Sequence, residues 1–274
     1  VAAVVGVNIF DNAARGRCSG ALIQIDYDRS AVLTAGHCAA FWFAVGNDAV
    51  GVSFDPVIGS DPDSAMQNSL DPGNYFVGGT VVLHPGYGPP NSMNPKNDLA
   101  IVVFDPAETE VIVEKWGNIP GFDPASIVPP DFLSDLKKKD LKMLEVKNVG
   151  YGIIERLVWP GSNAGGVKPA QGYGVRRVSF PSSVLSIDPT RVHMSQNPAR
   201  GDEGTCNGDS GSPNYVDYLG DPNVIVAVTS SGDAFCRATN VGARVDTPAA
   251  VKFIECVLHT AIEELEECGI VEIP

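Results

Sequence analysis

The sequence predicts an antiparallel all-β protein, large enough for two packed barrels and closed by one C-terminal helix. Three observations carry this reading. Short β-branched runs are separated by Gly, Pro, Asn and Asp turns. The length of 274 residues exceeds a usual single domain and suits a pair of barrels. The last segment alone changes to helical spacing.

In chain order, Val1-Ala2-Ala3-Val4-Val5-Gly6-Val7 reads as the first strand. Val32-Leu33, Val81-Val82-Leu83 and Ile101-Val102-Val103 are further runs whose branched side chains suit a pleated, half-buried surface. Asn118 to Pro130, rich in Gly and Pro, begins a connection between barrels. The one basic cluster, Lys137-Lys138-Lys139-Asp140-Leu141-Lys142, reads as a solvated linker or short helix within it. Thr247 can cap a helix opening at Pro248, and Val251, Ile254, Leu258, Ala261, Ile262 and Leu265 recur at helical spacing before Gly269. The expected division is therefore a first barrel over about 1–117, a connection over about 118–142, a second barrel over about 143–246 and a helix over about 248–268. That helix is expected to pack its apolar stripe on the second barrel.

Nineteen basic against thirty-three acidic side chains give a net charge of -14, which disfavours nucleic acid and anionic lipid as partners. The longest apolar stretches fall short of the roughly 18 to 20 residues that cross a bilayer, so no membrane span is expected. An even set of six cysteines implies an oxidising compartment: secretion, a periplasm or a cell surface. A secretory leader is accordingly expected to have been removed or to lie outside this sequence. No Cys-x-x-Cys pair suggests zinc, and neither a metal nor a cofactor is expected.

Three motifs describe an activated serine. Gly204-Thr205-Cys206-Asn207-Gly208-Asp209-Ser210-Gly211-Ser212-Pro213 offers a nucleophile, Ser210, in a turn where the amides of Gly208 and Ser210 can point into one concavity. Leu33-Thr34-Ala35-Gly36-His37-Cys38 offers an imidazole to take the hydroxyl proton. Asn97-Asp98-Leu99-Ala100-Ile101-Val102-Val103 carries a lone acid into an apolar strand, where Asp98 can orient that imidazole. His84, His193 and His259 sit in no such motif and are expected to be structural.

The order His, Asp, Ser, with Thr-Ala-Gly-His-Cys, Asp-Leu-Ala-Ile-Val and Gly-Asp-Ser-Gly-Ser-Pro, resembles the chymotrypsin and trypsin family of serine proteases. Cys18-Ser19-Gly20-Ala21-Leu22-Ile23, His84-Pro85-Gly86-Tyr87, Gly150-Tyr151-Gly152 and Ile225-Val226-Ala227-Val228-Thr229-Ser230 resemble further landmarks in register. The resemblance implies two six-stranded Greek-key barrels with a C-terminal helix, and a serine endopeptidase using His37, Asp98 and Ser210, with Gly208 and Ser210 amides as the oxyanion hole. Protein or peptide substrates, and protein protease inhibitors, are the implied partners. It pairs Cys18 with Cys38 and Cys206 with Cys236, leaving Cys256 with Cys268. Glu263, Glu264, Glu266 and Glu267 crowd a helix end that prefers cations, so the last pairing would restrain a fraying end.

By the same resemblance the substrate pocket is bounded by Gly204, Thr205, Thr229, Ser230 and Ser231, with Gly204 at the floor. A neutral floor implies a neutral, apolar or small residue before the scissile bond; the alternative is a preference for Arg or Lys using Glu203 or Asp202. The wall lacks the usual tryptophan, which should open the cleft. Asp209 is the family's activation-linked carboxylate, and a cation or a set of amides must meet it if it is buried. Longer spacings between the motifs imply extra loops, foremost Asp55 to Gly73. Its acids Asp55, Asp61, Asp63 and Asp71 lack the spacing of a dedicated calcium loop and read as a solvated turn. A different class of function, a protease-like module that binds without cleaving, is the second reading.

Overall fold

The computed structural model describes residues 1–8, 13–26, 28–44, 49–58, 77–88, 95–154, 174–179 and 181–272. Strands β1 (Ala2–Asn8), β2 (Ala13–Ile25), β3 (Ser30–Thr34), β4 (Ala49–Ser53), β5 (Val77–Leu83) and β6 (Ala100–Phe104) form a closed circuit in the order β1-β2-β3-β6-β5-β4. Every pairing is antiparallel. The second circuit uses β7 (Glu145–Gly150), β9 (Ser182–Ile187), β10 (Arg191–Ser195), β13 (Thr239–Arg244), β12 (Asp221–Gly232) and β11 (Pro213–Tyr218), closed by β11 on β7; a two-residue β8 (Arg177–Val178) pairs beside it. Closure removes sheet edges that would otherwise expose unpaired backbone groups.

All residues of β3 and β6 are buried, so these strands read as continuous apolar runs and not as an alternation. One face fills the barrel; helices cover the other. Helix α1 (Gly36–Ala44) packs on β2, β5 and β6, and α2 (Pro106–Trp116) on β5 and β6. The latter begins with a capping box: the Asp105 side chain accepts from Glu108 N, and the Glu108 side chain accepts from Asp105 N, with Pro106 in the first turn. Of the expected loop from Asp55 to Gly73, residues 59–73, with Asp61, Asp63 and Asp71, lie outside the described residues. Asp55 itself accepts from Trp116 Nε1 at 2.8 Å.

The connection stitches the barrels together. Ala125 N donates to Leu22 O of the first barrel, while Ile225 N donates to Ser126 O and Val128 N to Ile225 O of the second. Two short helices follow, α3 (Phe132–Asp135) and α4 (Lys138–Met143). A buried ion pair anchors the first of them. Arg244 donates through Nε and Nη2 to the two carboxylate oxygens of Asp246, both at 2.8 Å, and Asp246 also accepts from Leu133 N. The guanidinium also donates to Ser134 Oγ and Asp188 O, so no charged atom of the pair is left without partners.

Helix α5 (Pro248–His259) starts where Thr247 Oγ1 accepts from Ala250 N, but it ends well before residue 268. Thr260 is extended, and residues Ile262–Glu267 form a separate 3-10 turn. Arg29, in the β2–β3 turn, donates to Val257 O at 2.8 Å and Thr260 O at 2.6 Å, bringing a guanidinium to the helix end beside its own His259. Several contacts of α5 reach the first barrel. The His84 ring lies 4.9 Å from that of Phe253, accepts at Nδ1 from Gly86 N and faces Ala249 O through Nε2 at 3.3 Å. The chain then returns as β14 (Ile270–Glu272), which pairs with β5. His193 faces Asp188 at 3.3 Å, and His259 is exposed at the helix end. No helix among the described residues is long and apolar enough to cross a membrane.

Removing Arg244 would leave the Asp246 carboxylate buried beside the connection without its cation. Arg244→Ala is expected to lower the unfolding free energy by about 3 to 5 kcal/mol in denaturant titration, against a change under about 1 kcal/mol for an exposed pair.

Candidate active site

His37 stands in the first turn of α1, and the strand-end residue Asp98 just precedes β6. Asn97 takes a left-handed conformation (φ 46°) and donates to Gly86 O, which turns the chain so that Asp98 points inward. The Asp98 carboxylate is fully buried. One oxygen accepts from His37 N at 2.6 Å; the other lies 2.8 Å from His37 Nδ1 and also accepts from Ser230 Oγ of β12. An ionised carboxylate only accepts, so Nδ1 carries the proton and Nε2 is left as the basic nitrogen. Burial, and then the Asp98 charge, push the nearby Tyr87 hydroxyl up to about 12.

The serine loop is held from three sides. Gly211 N donates to Thr229 O and Thr229 N to Ser212 O, which lays the loop along β12. Gly211, at φ 83°, lies so close to Thr34 and Ala35 that a Cβ would overlap both Thr34 Oγ1 and Ser19 O. Ser19 N donates to Ser210 O at 2.7 Å. Cys18, beside Ser19, is bonded to Cys38, beside His37, so one disulfide links the anchors of the imidazole and the serine. Gly208, at φ 95°, and Ser210 present backbone N–H groups that meet no protein acceptor among the described residues. Two neighbouring unclaimed donors beside a hydroxyl can hold an oxyanion. No hydrogen bond joins Ser210 Oγ to His37 Nε2 among the described residues; Nε2 lies 3.7 Å from Cys38 Sγ. Cys18, His37 and Cys38 bring potential metal-ligating atoms together, but both sulfurs are consumed by the disulfide and offer no thiolate.

Asp209 points away from this surface, into the second barrel. Its oxygens accept from Gly152 N at 2.8 Å and Cys206 N at 2.9 Å, so backbone amides are its partners. Burial pushes its carboxyl up to about 6, against the pull of those amides and of Arg177. A Cβ at Gly150 or Gly152 would overlap the Asp209 carboxylate, which gives Gly150-Tyr151-Gly152 its physical reason. Behind Asp209 lies a cavity of about 310 Å³ bordered by Asn148, Arg177, Gln196 and Thr205.

The surroundings of Gly204 are organised by residues that no sequence motif singles out. Gln196 is buried, accepts at Oε1 from Thr205 N and donates through Nε2 to Asp233. A Cβ at Gly204 would overlap the Gln196 side chain, so the carboxamide fills the space beside Gly204. Asp233 accepts from the amides of Phe235, Arg237, Ala238 and Thr239, forming the rim closed by the Cys206–Cys236 bond. Burial raises its carboxyl pKa, but the Thr239 and Ala238 amides with Gln196 outweigh this and bring it down to about 2. Asp202 is turned to Ser183 Oγ and Arg200, whereas the Glu203 side chain is exposed while Ser182 Oγ holds its carbonyl. Thr229, Ser230 and Ser231 follow one another on β12; the Thr229 hydroxyl takes hydrogen bonds from Ser212 and Asn214. The third disulfide joins Cys256 and Cys268.

No family model and no curated protein sequence matches the chain. Solved structures do. A mutant of human heparin binding protein (CAP37) superposes with a TM-score of 0.58 at 14% identity, covering 94% of this chain and 91% of that one. Human heparin binding protein gives 0.56 at 15% identity, over 94% and 92% of the two chains. The likeness is one of fold: the chain has the chymotrypsin-like arrangement of two barrels and a C-terminal helix.

A raised carboxyl pKa means that the folded state binds a proton more tightly than the unfolded chain. The stabilisation is complete below the ordinary carboxylate pKa near 3.8 and is lost as pH rises through about 6. Asp209→Asn should therefore flatten the fall in unfolding free energy between pH 4 and 7, and should remove one carboxyl titrating near 6 from carbon NMR spectra.

Proposed function

We propose that this protein is a serine endopeptidase, supported above all by the buried Asp98 carboxylate that fixes the His37 imidazole with its Nε2 basic. Ser210 Oγ attacks the scissile carbonyl carbon while His37 Nε2 takes its proton. The oxygen that becomes anionic is received by the amides of Gly208 and Ser210, and His37 returns the proton to the leaving amine. Water then repeats the cycle on the acyl-enzyme. Hydrogen bonds between nucleophile and base are often long without substrate and tighten only when it is bound.

A neutral residue before the scissile bond fits the pocket best. Gly204 offers no charge, Gln196 lies beside it as a carboxamide, and Asp202 is engaged elsewhere. Peptides and proteins are the substrates, with protein protease inhibitors as competing ligands. Three disulfides favour a secreted or periplasmic setting.

The second reading, a binding module without cleavage, draws on the missing Ser210–His37 hydrogen bond. The heparin named for the structural neighbours suits it poorly as a ligand, because a chain with net charge -14 repels a polyanion.

Ser210→Ala is expected to abolish both casein cleavage and fluorophosphonate labelling while leaving the melting temperature unchanged; cleavage at the parent rate would refute the assignment. Asp98→Asn should lower kcat by about 10⁴-fold. In a peptide-library digest, neutral residues should outrank Arg and Lys before the cut.

A further inference from the structure

Ser19 lies on β2 of the first barrel, is fully buried, and touches the serine loop of the second barrel twice. Its backbone N–H donates to Ser210 O, as described above. Its side chain makes a separate pair of bonds: Oγ donates to Gly208 O at 3.0 Å and accepts from Tyr151 N at 3.1 Å. The hydroxyl thus bridges two backbone groups, donating to one in the serine loop and accepting from one in the Gly150-Tyr151-Gly152 turn that cradles Asp209.

The consequence is positional. The Gly208 carbonyl belongs to the peptide between Gly208 and Asp209, and the Ser210 carbonyl to the peptide between Ser210 and Gly211. The intervening peptide carries the Ser210 N–H. A peptide plane turns as a rigid unit, so fixing the carbonyls on both sides leaves the Ser210 amide little freedom to swing. Gly208 is also the residue with a positive φ and no side chain to resist rotation, which makes its carbonyl the one most in need of an external hold.

We propose that the Ser19 hydroxyl is a positioning residue for the oxyanion site, locking the Gly208 carbonyl so that the Ser210 amide keeps its direction, while Ile153 N holds the Asn207 carbonyl of the peptide that carries the Gly208 amide. This rests on the protease reading and deepens it. Ser19 does not touch substrate; it acts through the loop. Removing the hydroxyl leaves the loop in place, because Ser19 N still holds Ser210 O and Thr229 O still holds Gly211 N. What is lost is alignment, which matters most when the oxyanion forms.

The test is a comparison of the parent with Ser19→Ala and Ser19→Gly, both of which keep the backbone donor. Deleting an oxyanion donor outright costs about 10²- to 10³-fold in kcat, and a loosened donor should cost about tenfold with KM within about twofold. The direct readout is a neutral peptidyl trifluoromethyl ketone, 13C-labelled at its carbonyl. Ser210 Oγ adds to that carbon, and the pH at which the resulting hemiketal ionises measures how well the oxyanion is held. The variants should ionise about one pH unit higher than the parent. A folded variant with parental kcat and parental hemiketal ionisation overturns the positioning role while leaving the protease reading intact. Failure of both variants to fold assigns Ser19 to stability and also overturns it. A parent that forms no adduct with this ketone and no fluorophosphonate label defeats the protease reading, and the positioning role with it.

Discussion

The whole arrangement turns on one buried charge. Asp98 is removed from water, and a carboxylate in that position is tolerable only when donors take its lone pairs. Those donors come from both barrels: the amide and Nδ1 of His37 from the first, and the Ser230 hydroxyl from the second. The carboxylate therefore ties the barrels together and fixes which imidazole nitrogen is basic. Structure and chemistry share one constraint.

A second seam runs parallel to it. Ser19 meets the serine loop, Gly211 rests on Thr34 and Ala35, and the Cys18–Cys38 bond holds the neighbouring residues of both anchors. The connecting segment adds backbone bonds from Ala125 to Leu22 and from Val128 to Ile225. Hinge motion between the barrels would break several of these at once. The candidate site thus sits on these bonds between the two halves, which would suit a reaction that depends on fixed distances.

How much of this could be read from the chain depends on how local the cause was. The motifs around His37, Asp98 and Ser210 were readable because each is a short string with its own chemistry, and the helix start at Thr247-Pro248 is equally local. Helix α2 was legible in principle through Asp105-Pro106-Ala107-Glu108, but the apolar run just before it reads as strand and hides the change of period. The early end of α5 was not legible, since Ile262 and Leu265 continue the helical spacing; the break comes from Arg29, more than two hundred residues upstream. Strand β14 has three residues and exists only because β5 receives it. In the site, Gln196 and Asp233 carry no motif at all, and the string that contains Ser19 says nothing of its hydroxyl. Their partners are distant in sequence or are backbone groups, so only the fold discloses them.

The central claim is that Asp98 holds a proton on His37 Nδ1 and so makes Nε2 the base. Nitrogen NMR of the imidazole at alkaline pH, where the ring is neutral, reports the tautomer directly. The account predicts a protonated Nδ1 and an unprotonated Nε2, with the Nδ1 proton shifted far downfield and that signal lost in Asp98→Asn. A neutral ring protonated at Nε2, with the same spectrum in the presence and absence of the Asp98 carboxylate, would contradict it.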